Sequence, residues 1–445
     1  MLRRWAAGAA ALALAAAAGE AAAQSRLAGE IDAGARRLEP KLIAWRRDIH
    51  QHPELGDVEF RTAKLVADHL RGLGMEVKTG VARTGVVGVL RGGRPGPVVA
   101  LRADMDALPV REQVDLPFAS RATGTYQGRT VPVMHACGHD AHVAILMTTA
   151  ELLAGMKDRL PGTVVFIFQP AEEGTSLDPD KRGGMASGAE RMVEEGVLES
   201  PKVDAIFGLH VGARIPTGHL QWRSGPFMAA SDRVAITVQG RQTHGAQPWA
   251  GVDPIVVASQ VVLGLQTIPS RQVDVTDEPS VVTIGQIHGG ARNNIIPDTV
   301  EMEGTIRTFD TAMQDDIHLR IKRTAENIAA ASGAKAAVEI ERGYRPTINN
   351  PGLTARMEPT LKRVAGEGRW LAEAQKRTGA EDFSFFQEKV PGLFFNLGIS
   401  PPATAATAAP NHSPLFFVDE AGLATGVRAL AHLTLDYMEG GGSGR

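Results

Sequence analysis

Nine residues, MHACGHDAH (Met134–His142), bring together three histidines, an aspartate and the only cysteine of the chain. That composition opens onto three chemistries. Cys137 and His139, two positions apart, carry the thiolate and imidazole donors that zinc and other borderline metals prefer, and in a loop they can converge on one ion. The same pair could be a nucleophile and its base. Or the segment could simply begin a helix, with Asp140 capping it and a buried thiol alongside. His142 falls inside that helix, where an imidazole more often packs or hydrogen-bonds, and it is left out of the candidate site.

A second acidic signal is QPAEEG, in which Glu172 and Glu173 are adjacent just after an apolar run. Neighbouring carboxylates in a turn usually diverge. Divergence suits a site where one carboxylate binds metal while its neighbour, free of it, takes a proton from metal-bound water. His210, in GLHV, and His412, in NHSP, each border an apolar run. Singly, each is more often a structural histidine. Together Cys137, His139, Glu173, His210 and His412 could hold two ions with positions left for water and substrate.

Such side chains need a scaffold that ends several segments at one place. GVVGVL, PVVALRADMD and TVVFIFQ read as strands, with a helix between the last two from about Asp140 to Met156. Near-continuous apolar strands are buried on both faces, as in a largely parallel sheet covered by helices. In such sheets ligands bind beyond the carboxyl ends of the strands. Asp104 and Asp106, Glu172 and Glu173, and His210 all stand at such ends. Residues 40–75 read as a helix followed by a turn.

From about Ser231 to Arg342 the pattern changes to strand, apolar helix (Pro254–Ile268), two strands, amphipathic helix (Ala312–Ala331) and strand. This βαββαβ order is the ferredoxin-like split unit. The expected fold class is α/β: a mostly parallel sheet covered by helices, with an inserted ferredoxin-like α+β domain. The expected division is 24–230 and 343–445 for the metal-binding catalytic domain and 231–342 for a dimerisation or lid domain. GLFFNLGI, NHSPLFFVDE and a final helix complete the first domain, with PPATAATAAP as a surface loop.

At the start, Arg3 and Arg4 precede an apolar run from Trp5 to about Ala18, then Ala21-Ala22-Ala23. That is the order of a secretory signal peptide (1–23), cleaved near Gln24. The expected location is therefore exported, periplasmic or secreted, with no membrane partner after cleavage. In an oxidising compartment structural cysteines usually pair, which favours an occupied Cys137. A net charge of −3 gives no reason to expect nucleic acid or an anionic membrane.

RADMDALP, MHACGHDAH, QPAEEG, GLHV, THGAQPWAGVDP, GGARNNIIPD and NHSP occur in that order across nearly the whole mature chain. In this the sequence resembles the dinuclear metal amidohydrolases and peptidases related to aminoacylase and carboxypeptidase G. The branch it is most similar to contains hippurate hydrolases, N-acyl-amino-acid amidohydrolases and auxin-conjugate hydrolases. The resemblance implies that Cys137, His139, Glu173, His210 and His412 are metal ligands and Glu172 the general base and acid. It implies orienting roles for Asp106 and, more weakly, Asp104, which stands where related branches carry a ligand histidine. His244 of THGAQPW matches a histidine that reaches the partner subunit's active site to polarise the scissile carbonyl. Asn294 and Arg307 match residues that hold the substrate carboxylate.

The chain departs from the family in its longer 174–188 loop, GTSLDPDKRGGMASG, which stands near the metal edge and either shapes the pocket or is a tolerated insertion. The expectation is a homodimeric hydrolase with two divalent ions per subunit, zinc before manganese, cobalt or nickel. Its substrates would be N-acyl amino acids or related, hippurate-like conjugates, split to a carboxylic acid and a free amino acid. The alternative is an exported dipeptidase or carboxypeptidase with the same centre. A non-catalytic metal-binding protein would need neither Glu172 nor Arg307. A cysteine-nucleophile hydrolase would leave Glu172, Glu173, His210 and His412 unexplained.

Overall fold

The computed structural model describes residues 2–177 and 187–440, and side chains from Leu27 onward. The side chains of the signal-like segment, and residues 178–186 of the long loop, lie outside the described residues. The backbone of that segment is helical and continuous with α1 (Leu2–Gln51). Among the described residues no helix is long and apolar enough to cross a membrane.

The 40–75 stretch holds the end of α1, a turn and a second helix, α2 (Phe60–Gly72), where one helix and a turn were expected. In α2 the buried residues Thr62, Val66, Ala67 and Leu70 recur at helical spacing, so one stripe packs inward. Strands β1 (Glu76–Val81), β2 (Gly85–Arg91) and β3 (Arg94–Asp104) follow, then α3 (His139–Ala154), β4 (Pro161–Gln169) and β5 (Ala205–Pro216). Helix α3 has every residue buried except Glu151 and Ala154. A helix apolar all round belongs inside the molecule.

The next elements are β6 (Ser231–Gln239), α4 (Pro254–Thr267), β7 (Val281–Gly289), β8 (Thr299–Arg307), α5 (Thr311–Ala331) and β9 (Lys335–Tyr344). Then come α6 (Pro351–Ala365), β10 (Gly392–Ser400) and α7 (Leu423–Glu439). The large sheet runs β1-β2-β4-β3-β5-β10 and ends in the short strands Leu220–Gln221 and Trp370–Leu371, eight strands in all. Its centre, β4-β3-β5-β10, is parallel.

Alternation along these strands divides the core. Val164, Phe166 and Phe168 of β4 face the cluster under α1, α3 and α7, while Val165 and Ile167 face a second cluster with Ala189, Met192, Phe383 and Phe386. Truncating one such side chain, Phe166→Ala, is expected to cost about 3–5 kcal/mol.

Residues 231–344 follow the βαββαβ order, with an antiparallel sheet β7-β8-β6-β9. Strand β6 alternates half-buried and buried residues, so one face packs on α4 and α5 around Val234, Ile236, Val261 and Ile321. Asp253 caps α4, accepting the N–H groups of Ile255 (2.9 Å) and Val256 (3.3 Å), and Pro254 supplies a first helical residue that lacks an N–H.

Register carries the polar groups to one edge. Asp104 of β3 pairs with Gln169 of β4, and His210 of β5 with Asn396 of β10. The chain leaves β3 and β4 toward the same side, where Asp106, Glu172 and Glu173 follow.

Candidate metal centre

Between Cys137 and His139 the backbone passes through Gly138 at φ 96°. A Cβ there would meet Val211 Cγ2 at 2.3 Å, so only glycine allows the turn against β5. The turn aims Cys137 and His139 at one point and makes His139 the first residue of α3, one position before the expected start.

The candidate donors fall into two overlapping groups. Cys137, His139 and His210 bring donor atoms within 4.8 Å of one another, and so do Cys137, Glu173 and His412. Cys137 belongs to both. Its Sγ lies 3.3 Å from His210 Nε2, and His412 Nε2 lies 2.8 Å from Glu173 Oε1. His412 is held by its own N–H, which donates to Ala136 O at 2.8 Å. Asn411 ties the same turn down, donating to Cys137 O at 3.0 Å and Val211 O at 3.2 Å.

Tautomers follow from the partners. His210 Nδ1 faces Val211 O at 2.8 Å; a carbonyl only accepts, so Nδ1 carries the proton and Nε2 keeps its lone pair. His139 Nδ1 faces Asp106 Oδ1 at 3.2 Å, and its Nε2 is buried without a hydrogen-bond partner. That nitrogen lies 3.7 Å from Asp104 Oδ2, too far for a hydrogen bond, and its place beside a thiol and a second imidazole fits a soft divalent ion. Asp104, His139 and His142 also lie close enough to form a donor group, but the atoms of His142 are taken. Its Nδ1 bonds Asp104 Oδ1, and its Nε2 accepts the Val211 N–H at 2.8 Å.

The supporting shell is acidic and buried. Asp106 accepts the backbone N–H groups of Glu172 (3.0 Å) and Glu173 (2.9 Å). Asp104 accepts from Arg102 at 2.8 Å, and the same guanidinium meets Glu381 at 2.9 Å and Asp382 at 2.8 Å. Tyr344 Oη donates to the Glu172 carbonyl.

Burial, reinforced by the negative charges of Glu381 and Glu173, raises the Glu172 carboxyl well above its usual range. Burial likewise raises the Cys137 thiol, again helped by Glu173. A thiol so placed is poorly activated as a nucleophile, which counts against a cysteine mechanism. Hydrogen bonds to Cys137 and Glu173 lift His412 to about 10.

A cavity of about 500 Å³ opens over these groups, and Arg307 and Arg377 reach its wall. His244 and Asn294 are exposed and do not line it. They sit together on a small ribbon, where His244 pairs with Ile295 and Gly245 N donates to Asn294 O at 2.8 Å. The structure thus brings Arg307 to the donors, and Asn294 to His244. Tyr344, Glu381, Arg102, Arg377 and Asn411 were not singled out in the sequence. Only Glu381-Asp382, an acidic pair ahead of an apolar run, and Asn411, next to His412, offered any local signal.

The pattern of peptidase family M20/M25/M40 matches residues 100–436. The chain belongs to this family. Thermostable carboxypeptidase 1 of Saccharolobus solfataricus is 42% identical over 402 residues, covering 90% of this chain and 95% of the relative. N-acetylcysteine deacetylase of Bacillus subtilis is 38% identical over 400 residues, covering 90% and 97%. Among solved structures, the Bacillus subtilis YXEP protein, described as a dinuclear metal binding peptidase, superposes with a TM-score of 0.76 at 35% identity. That match covers 91% of this chain and 99% of the other. As an M20-family protein this chain is a metal-dependent hydrolase of amide or peptide bonds, and its two donor groups fit a dinuclear centre.

Proposed function

We propose that this M20-family amidohydrolase cleaves the amide bond of N-acyl amino acids or related conjugates, hippurate among them, releasing a carboxylic acid and a free amino acid. The observation that carries the reading is the buried Glu172 carboxyl beside two donor groups that share Cys137. Cys137, His139, Glu173, His210 and His412 would together hold two divalent ions, zinc suiting thiolate and imidazole best. Manganese, cobalt and nickel are the other candidates. When bound, such ions polarise a carbonyl and acidify water.

Glu172 accepts the proton of the attacking water and passes it to the leaving amine nitrogen. Asp106 holds the Glu172–Glu173 backbone, and with Asp104 it keeps His139 and His142 in place. Arg307 binds the substrate carboxylate through its planar fork. His244 and Asn294, exposed on the ribbon, would act on the cavity of a second copy, His244 donating to the developing oxyanion and Asn294 joining the carboxylate clamp. A homodimer is therefore part of the proposal. So is the division into a catalytic unit (24–230 and 343–445) and a dimerisation or lid unit (231–342). Export and cleavage after the 1–23 segment rest on the Arg3-Arg4 start, the alanine-leucine run and the small residues before Gln24.

The 42% identical carboxypeptidase supports a second reading, cleavage of peptides at the same centre. Hydrolysis of N-acyl amino acids and dipeptides by chelated protein, metal-reloaded protein and a reloaded Glu172→Gln variant tests both. The expected result is activity restored by metal and reduced about 10²–10⁴-fold in the variant, with N-acyl amino acids ahead of dipeptides. Activity that survives chelation would refute the metal mechanism, and dipeptides ahead would select the peptidase.

A further inference from the structure

Two guanidinium groups line the cavity, Arg307 at the end of β8 and Arg377 on the segment that follows the edge strand Trp370–Leu371. The reaction proposed above uses one of them. Arg377 is fixed at the backbone: its N–H donates to Phe227 O at 3.0 Å, and its carbonyl accepts from Ala229 N at 3.0 Å. Its Nη2 lies 3.8 Å from where a Cβ on Gly212 would stand, so the head reaches the stretch of β5 that carries His210, which lies inside that strand and not at its end as the sequence suggested.

Several other half-buried or buried arginines among the described residues meet a carboxylate. Arg46 pairs with Asp140, Arg191 with Asp57, Arg233 with Glu303 and Arg428 with Asp32. Among the described residues Arg377 has no such partner: burial acts on it and no acidic neighbour offsets that. Of the carboxylates that share its cavity, Glu173 meets His412, Glu381 meets Arg102, and Glu172 is the proton carrier of the reaction proposed above, with no ion pair to Arg377. Arginine remains charged in this setting, and a guanidinium partly withdrawn from water with no counter-charge is a receptor for an anion.

We propose that Arg377 forms a second anion subsite, so that the preferred substrate carries another carboxylate besides the one met by Arg307. The inference rests on the amidohydrolase reading and narrows its substrate class. The second carboxylate belongs either to the side chain of an N-acylated dicarboxylic amino acid or to the far end of a dicarboxylic acyl group. A monocarboxylate would leave one of the two guanidinium groups facing water alone, whereas a dicarboxylate satisfies both forks.

The test uses the full-length, metal-loaded protein and two matched substrate pairs. N-acetylglutamate is compared with N-acetylglutamine, and N-succinylalanine with N-succinamoylalanine. In each pair one carboxylate becomes an amide of similar shape. Wild-type kcat/KM is expected to favour the acid in one pair by at least about tenfold, and that pair locates the second carboxylate. In Arg377→Met the acid-to-amide ratio should fall to about one, and Arg377→Lys should restore part of it. Arg307→Met should depress all the substrates together and leave the ratio in place. No preference in either wild-type pair, or a preference that persists in Arg377→Met, would overturn the subsite while leaving the amidohydrolase reading intact. Failure to hydrolyse any N-acyl amino acid would remove both.

Discussion

The Asp106 carboxylate lies 3.2 Å from His139 Nδ1 and also accepts the backbone N–H groups of Glu172 and Glu173. One side chain two residues beyond β3 therefore orients a candidate ligand from α3 and the acidic turn after β4. Asp106→Ala should lower metal affinity roughly 10–100-fold, as loss of an outer-shell partner does. Metal titration of the apo protein, read by calorimetry, checks this. Unchanged affinity would make Asp106 a purely structural contact.

His142 and His210 are neighbours with opposite assignments. Both nitrogens of His142 are already bonded, whereas His210 keeps Nε2 facing Cys137. His210→Ala should lose one ion per subunit. His142→Ala should retain both ions but lose stability, by about 1–3 kcal/mol, because Asp104 and the Val211 N–H lose a buried partner. Metal analysis after dialysis, paired with urea unfolding of the same samples, separates the two. Loss of an ion from the His142 variant alone would reverse the assignments.

Gly138 sits in the left-handed region between Cys137 and His139, tight against Val211. Gly138→Ala should destabilise the protein by about 1–3 kcal/mol from backbone strain, with a further loss from the clash. The variant should also bind metal more weakly, since the turn that brings the two residues together must open. Denaturant midpoints and bound-metal content report the two effects separately. A variant as stable as wild type would show that the turn tolerates a side chain.

Asp32 ties α1 to α7 through Arg428 (2.7 Å) and His432 (3.0 Å). Burial alone would raise its pKa, but these bonds outweigh that and hold it below the usual value of 3.8. Because the folded value is the lower one, the stabilisation is present above the unfolded pKa of about 3.9 and is lost as pH falls through the folded value. Asp32→Asn should therefore cost stability near neutral pH, about 1 kcal/mol or less given the partial exposure. The gap from wild type should shrink as the medium is acidified. Urea midpoints at pH 7 and pH 3 measure it. A gap that grows on acidification would contradict the sign.

Much of this protein is legible in one dimension because its signals are local. The apolar runs of β3, β4 and β10 are buried on both faces of the parallel centre of the sheet and so need no polar alternation, and the buried run of β2 lies beside them, antiparallel to β4. The βαββαβ order of residues 231–344 shows through alternation in β6 and helical spacing in α4 and α5. The donor types also stand out, since thiol, imidazole and adjacent carboxylates at strand ends are conspicuous against apolar neighbours. What only the folded chain decided are distances between residues far apart in sequence. Cys137 belongs to both donor groups because β5 delivers His210 to it and the NHSP turn delivers His412. His142 is spent on Asp104 and Val211, which the spacing of MHACGHDAH could not reveal. Arg307 parts from Asn294 because one ends a long strand over the cavity while the other rides an exposed ribbon. Arg377 and Arg102 carry no motif at all. Whether an arginine is paired depends on which carboxylate the fold brings within a few ångströms, and that is a property of tertiary packing alone.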